Sequence, residues 1–139
     1  LRIYLIGSIS EHLRNGELER ATEWRSRLKN RLKTHNIECF DPCVNLQNHL
    51  TLSDKSIVLQ NIYYLNSCDI GIVNTDKLIY SPGSWFEIFK YYFDKKPVVA
   101  FGEKPPTQVP HVREAISEYF KTEEEVVKYL KSLFKQFNE

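Results

Sequence analysis

The sequence has no methionine, three cysteines and no apolar run near the ~18 residues that a bilayer span requires. Each scarcity excludes a class. Three thiols, Cys39, Cys43 and Cys68, give no disulfide framework and lead to the expectation of a reduced, cytoplasmic protein. Cys39 and Cys43 have no second pair to complete four metal ligands, and His12, His35, His49 and His111 show neither HxxxH nor HxH spacing. No metal and no organic cofactor is therefore expected. Charge of either sign is not in excess: 19 basic and 18 acidic residues leave a net +1. A protein that grips a nucleic-acid backbone carries a stronger basic surplus, so the expected partner is a small molecule or another protein, and not a nucleic-acid polymer or a membrane. No Walker A sequence occurs, Gly7 does not open a GxGxxG, and no GxSxG elbow is found. The chain opens on strand-like Leu1-Arg2-Ile3-Tyr4 without a signal-peptide pattern, and the absent methionine fits an initiator removed or left out of the numbering.

Apolar residues make up 42% of the 139 residues, enough for one core and one domain over 1–139. Short β-rich runs at 2–7, 37–40, 69–73 and 97–101 read as strands. Leu18, Ala21, Trp24, Leu28 and Leu32 recur at helical spacing, predicting an amphipathic helix from 17 to about 36. Its basic stretch, 25–31, reads as a solvated outer face. Ser53 is placed to cap a helix running to about 66, an aromatic-rich helix follows over 84–94, and Thr122 with Glu125 forms a capping box for a last helix. The segment 8–16 reads as a loop, and 111–120 as a short helix followed by a short strand. Strands alternating with helices imply right-handed crossovers and a parallel sheet of about five strands with helices on both faces. Such sheets bind ligands beyond the carboxyl ends of their strands. Functional residues are therefore expected at Gly7-Ser8, 41–49, 74–84 and from Gly102 onward.

The richest of these segments is Ser81-Pro82-Gly83-Ser84-Trp85-Phe86-Glu87. A helix start offers free N–H groups to an anion or polar oxygen. Glu87 lies about one turn further, among Trp85, Phe86, Ile88 and Phe89. An acid in such surroundings can be a nucleophile or an acid/base group, and it can equally be a residue that only complements the helix dipole. Gly7-Ser8 reads either as a close-approach site for a ligand or as an ordinary turn. Tyr4 lies inside the first strand, where its hydroxyl needs a partner. Asp69, ahead of the third strand, reads as a turn residue bound to local backbone or as a ligand contact. His49 reads as a base-pocket residue or an exposed loop position.

Taken together, Ile3-Tyr4-Leu5-Ile6-Gly7-Ser8-Ile9, Cys68-Asp69-Ile70-Gly71-Ile72-Val73, Ser81 to Ile88 and Lys96-Pro97-Val98-Val99 resemble the nucleoside 2-deoxyribosyltransferase family, closest to its branch of 2'-deoxynucleoside 5'-phosphate N-hydrolases. The resemblance covers roughly the first two-thirds of the chain. It implies a flavodoxin-like (Rossmann-like) parallel sheet and an attack by Glu87 on the anomeric carbon of a nucleoside or nucleotide. It further implies that Tyr4 orients that nucleophile and that Ser8 and Ser81 contact a 5'-phosphate with donors from Gly83 and Ser84. Gly7, Ile9 and Asp69 complete the implied substrate-binding set. The family's aspartate eight residues ahead of Asp69 is replaced here by Asn61, which can bond a base but cannot donate a carboxylic proton. The hydrolases carry glycines and an arginine after the Gly-Ser-Ile run, whereas this chain continues Ser10-Glu11-His12-Leu13-Arg14. The family habit of homodimers or larger assemblies, and the many apolar faces of the aromatic helix, predict a homo-oligomer.

Overall fold

The computed structural model describes residues 1–44, 51–106 and 109–134. Five strands and six helices follow in the order β1 (Arg2–Ile6), α1 (Ser10–Arg14), α2 (Leu18–Lys33), β2 (Glu38–Phe40), α3 (Asp54–Ser67), β3 (Ile70–Asn74), α4 (Pro82–Phe93), β4 (Val98–Phe101), α5 (Pro110–Ala115), β5 (Glu118–Phe120) and α6 (Glu123–Phe134), with a 3-10 turn at Leu78–Tyr80. The strands form one parallel sheet in the order β2-β1-β3-β4-β5. This is the flavodoxin-like order, and its direction of winding reverses between β1 and β3.

Alternation along the strands builds two cores. Ile3, Leu5, Ile72 and Val99 face Trp24, Leu28 and Leu32 of α2 and Val126, Val127 and Leu130 of α6. Tyr4, Ile6, Val73 and Val98 face Leu65 of α3, Ile88 and Tyr91 of α4 and Val112 of α5. The helix boundaries have local causes. The Ser53 hydroxyl accepts from the Ser56 N–H at 3.2 Å, and Thr122 Oγ1 accepts from Glu125 N at 3.3 Å. Lys96 closes the other end of α3 by donating to the Cys68 carbonyl at 2.8 Å. Tyr91 ties α4 to α3 through a buried hydroxyl donating to the Leu65 carbonyl at 2.7 Å.

Three expectations change. The segment 8–16 contains α1, too short to show an apolar period. Helix α4 begins at Pro82, two residues earlier than expected, because proline suits the first helical position, where no N–H bond is needed. The basic face of α2 is not solvated throughout: Arg25 is 0% exposed. Among the described residues, no helix is long and apolar enough to cross a membrane.

Candidate active site

The carboxyl end of β1 and the start of α4 meet beside the reversal point of the sheet. β1 runs into Gly7, where a Cβ would lie 2.9 Å from the Trp24 ring and 3.3 Å from Arg25 Nη2. Glycine is required there by the close approach of α2, a packing reason that the ligand-approach reading of the sequence did not include. Ser8 follows, buried, and its hydroxyl has no hydrogen-bond partner among the described residues. Ile9 is half-buried and leads into α1.

At the start of α4, Pro82 lacks an N–H and Gly83 is exposed, with no atom within 4 Å of where its Cβ would stand. That leaves the first turn open to a ligand. The Ser81 and Ser84 hydroxyls share a 2.7 Å hydrogen bond. Trp85 Nε1 donates to the Leu78 carbonyl at 2.7 Å, fixing the helix start against the 3-10 turn.

Glu87 sits one turn into α4. The residue keeps some surface in solvent, but its carboxyl is enclosed, and burial raises it from the usual 4.5 to about 7 against the opposing pull of the Tyr4 hydroxyl and the Arg25 charge. Tyr4 answers from β1. Burial first, and the Glu87 charge second, push its phenol far above the ordinary value. The two groups sense each other, yet no hydrogen bond of good geometry closes between them, and the Tyr4 hydroxyl is buried without a partner among the described residues. An unpaired buried hydroxyl costs about 1–3 kcal/mol, which a substrate oxygen would relieve.

Behind β1, Arg25 donates from Nη1 to the Ala21 carbonyl at 2.6 Å and from Nη2 to the Gly7 carbonyl at 2.9 Å. Beyond the end of β1, His12 is buried between the Ser8 carbonyl, 3.0 Å from Nδ1, and Asp76 Oδ2, 3.1 Å from Nε2. Arg20 grips both oxygens of Asp76 at 3.0 and 2.9 Å. The loop after β1 is thereby braced to the loop after β3. Neither Arg25 nor this brace was identified from sequence. Position 25 is in helical phase with Ala21, Leu28 and Leu32, and that phase is the signal that marks it as buried.

The structure brings Glu87 to Tyr4, whose strand runs on to Gly7 and Ser8, and Ser81, Gly83 and Ser84 stand at the start of the same helix as Glu87. Asn61 is half-buried on α3, and its side chain makes no hydrogen bond among the described residues. Asp69 is not brought to this group. It precedes β3 and accepts from the Arg2 amide at 3.0 Å, at the amino end of the sheet, where it orders the start of β1. His49 lies outside the described residues. A cavity of about 660 Å³ lies beyond β3 and β4, lined among others by Asp76, Tyr80, Trp85, Gly102 and Lys104, but not by Glu87. Its lining comes from the segments that follow the third and fourth strands and includes Trp85 from the start of α4. Burial pushes Cys39 up to about 12 and Cys43 and Cys68 up to about 11, leaving them protonated and poor nucleophiles. Among the described residues no three His, Cys, Asp or Glu side chains converge so as to hold a metal ion.

Comparison with solved structures shows the same fold elsewhere. The chain is similar to the 2-deoxyribosyltransferase of the psychrotolerant bacterium Bacillus psychrosaccharolyticus, with a TM-score of 0.67 and 16% identity over 93% of this chain and 92% of that one. It is also similar to a conserved protein from Enterococcus faecalis V583, with a TM-score of 0.61 and 16% identity over 94% of this chain and 97% of that one. No protein-family model and no curated protein matches the sequence.

Proposed function

We propose that this chain cleaves the N-glycosidic bond of a nucleoside 5'-monophosphate, ribo or deoxy, with Glu87 as nucleophile. The observation that carries this reading is an enclosed Glu87 carboxyl beside Tyr4, on a strand whose Tyr4 and Ser8 hydroxyls are buried without a partner among the described residues. The fold shared with a 2-deoxyribosyltransferase supports it.

The chemistry is that of a retaining glycosidase. The ionised Glu87 attacks the anomeric carbon as the C–N bond breaks, and the base leaves with the bonding electrons and takes up a proton. Water then opens the glycosyl ester and restores the carboxylate. Tyr4 orients Glu87. Ser8, Ser81, Ser84 and the open first turn of α4 hold the 5'-phosphate, where unsatisfied N–H groups favour an anion. Asn61 holds the departing base but supplies no proton, so bases that leave readily are favoured.

Two other readings rest on specific observations. A transferase would pass the sugar to a second base instead of water, as the similarity to a deoxyribosyltransferase suggests. A nucleotide-binding module with weak turnover is suggested by Asn61. Base release from a panel of nucleosides and 5'-monophosphates, followed by chromatography with and without a free acceptor base, separates all three. Release from monophosphates without acceptor, abolished in Glu87→Ala, supports hydrolysis. Release only with acceptor means transfer. Binding without release leaves the module.

We further propose that the working form is a homodimer or larger homo-oligomer built on α4. Phe93 of that helix is 79% exposed, and Phe86 and Tyr92 are each 47% exposed, which is unusual for aromatic residues on a finished surface.

A further inference from the structure

We propose that His12 clasps the loop after β1 to the loop after β3 as a doubly protonated imidazolium, so that a proton on its ring sets the position of Ser8. The residue is 1% exposed, and both of its ring nitrogens face acceptors. Nδ1 lies 3.0 Å from the Ser8 carbonyl oxygen, and Nε2 lies 3.1 Å from Asp76 Oδ2. A backbone carbonyl has no proton to give. Asp76 is committed as an acceptor too, because Arg20 Nη2 donates to both of its oxygens, at 3.0 and 2.9 Å. Neutral imidazole has one N–H and one bare lone pair. It serves one of these partners and meets the other lone pair to lone pair. The imidazolium has two N–H groups and serves both.

Loss of one proton then acts in a set direction. A hydrogen bond to a carboxylate is charge-assisted and stronger than one to a neutral carbonyl. The remaining proton therefore stays on Nε2, toward Asp76. Nδ1 is left as a bare lone pair against the Ser8 carbonyl, and that end of the clasp opens. Ser8 is the residue released, since its hydroxyl makes no bond among the described residues that would hold it in place. The other charged groups around the ring belong to α2 and the residue before it, to the loop after β3 and to α1. Arg20 bonds Glu17 as well as Asp76, Lys77 Nζ lies 3.9 Å from Glu17 Oε1, and Glu11 pairs with Arg14 at 3.3 Å. Among the described residues the acid that bonds the ring itself is Asp76. The clasp stands on this geometry. Its bearing on catalysis rests on the reaction proposed above, in which Ser8 helps to hold the 5'-phosphate.

Nitrogen NMR of the His12 ring and of the backbone amides tests this without substrate, from about pH 5 upward until the ring has lost its first proton. Both ring nitrogens should carry a proton at the start, and Nδ1 should be the one that loses it. The Ser8 and Ile9 amides should shift in that same step. Asp76→Asn supplies a side-chain amide that can donate to a neutral Nε2, so Nδ1 keeps its proton on the Ser8 carbonyl. In that variant the Ser8 and Ile9 amides should no longer follow the ring, although Glu87 still titrates. For the monophosphate cleaved best in the panel above, KM relative to its nucleoside should rise roughly fivefold or more across the step in the parent and stay level in Asp76→Asn. A ring with a single proton at about pH 5, or one that loses the Nε2 proton first, overturns the inference. So do Ser8 and Ile9 amides that ignore the ring in the parent, or that shift equally in Asp76→Asn. The parent titration decides by itself if Asp76→Asn does not fold. Amides that follow the ring while KM stays level leave the clasp standing and refute the phosphate role of Ser8.

Discussion

Glutamine at position 87 removes a carboxyl that the fold holds uncomfortably. A rise from 4.5 to about 7 favours the protonated acid, so the folded state gains relative to the unfolded chain below 4.5 and loses that gain as pH climbs through about 7. In full the difference is worth about 3 kcal/mol at pH 8.5, and about 2–3 kcal/mol allowing for the part of the residue that solvent still reaches. Glu87→Gln is neutral and close in shape, and should therefore be more stable than the parent by that amount at pH 8.5. At pH 5 the advantage should shrink below about 1 kcal/mol, because the parent's own carboxyl is then protonated in the fold. For a chain of this length the gain at pH 8.5 corresponds to roughly 6–10 °C in Tm. Thermal unfolding of both proteins at the two pH values, followed by circular dichroism, measures it, and base release should be lost in the same variant. A Tm difference equal at pH 5 and pH 8.5 would refute the reasoning, since an unstrained carboxylate gives no such pH dependence.

Tyr4→Phe should raise stability by about 1 kcal/mol, because the buried hydroxyl has no partner among the described residues to lose, while cutting kcat at least about tenfold. Calorimetry and steady-state rates on one preparation read both. Ser8→Ala should leave Tm unchanged within about 2 °C yet raise KM for monophosphates roughly tenfold, with nucleosides unaffected. Gly102→Ala should destabilise by about 2–4 kcal/mol in urea titration, since the residue has φ +152° and its new Cβ would stand 1.8 Å from Thr75 Oγ1. Phe93→Lys should shift the mass measured by light scattering toward the monomer without lowering Tm of the isolated chain, as the side chain is 79% exposed.

Much of the fold was legible because it rests on periodicity. The apolar runs of β1, β3 and β4 and the helical phase of α2 are set by which faces are buried, and Ser53 and Thr122 mark helix starts by chemistry that needs no tertiary context. Glu87 and Tyr4 were legible as a pair only through their resemblance to a family motif. What brings them together is a crossover, and no local pattern records it. Asp69 entered the substrate set only through the resemblance, whereas the reading of its own position as a turn residue bound to backbone matches the bond it takes from the Arg2 amide. The rule that ligands gather after strands already puts a residue preceding β3 at the far end. Arg25 was hidden by its chemistry: an arginine in a basic run suggests solvent, although its phase with Ala21 and Leu28 points inward. The His12–Asp76 brace joins residues 64 apart and left no trace in the sequence.

Both borders of the sheet, β2 and β5, are only three residues long. Such a border exposes few backbone groups to another strand, which disfavours lengthening of the sheet across two copies of the chain. The assembly proposed above would then run through side chains on helices, as the exposed aromatics of α4 suggest. An interface of that kind can be tuned one residue at a time, and it leaves the polymer-like stacking that threatens open sheets without a template.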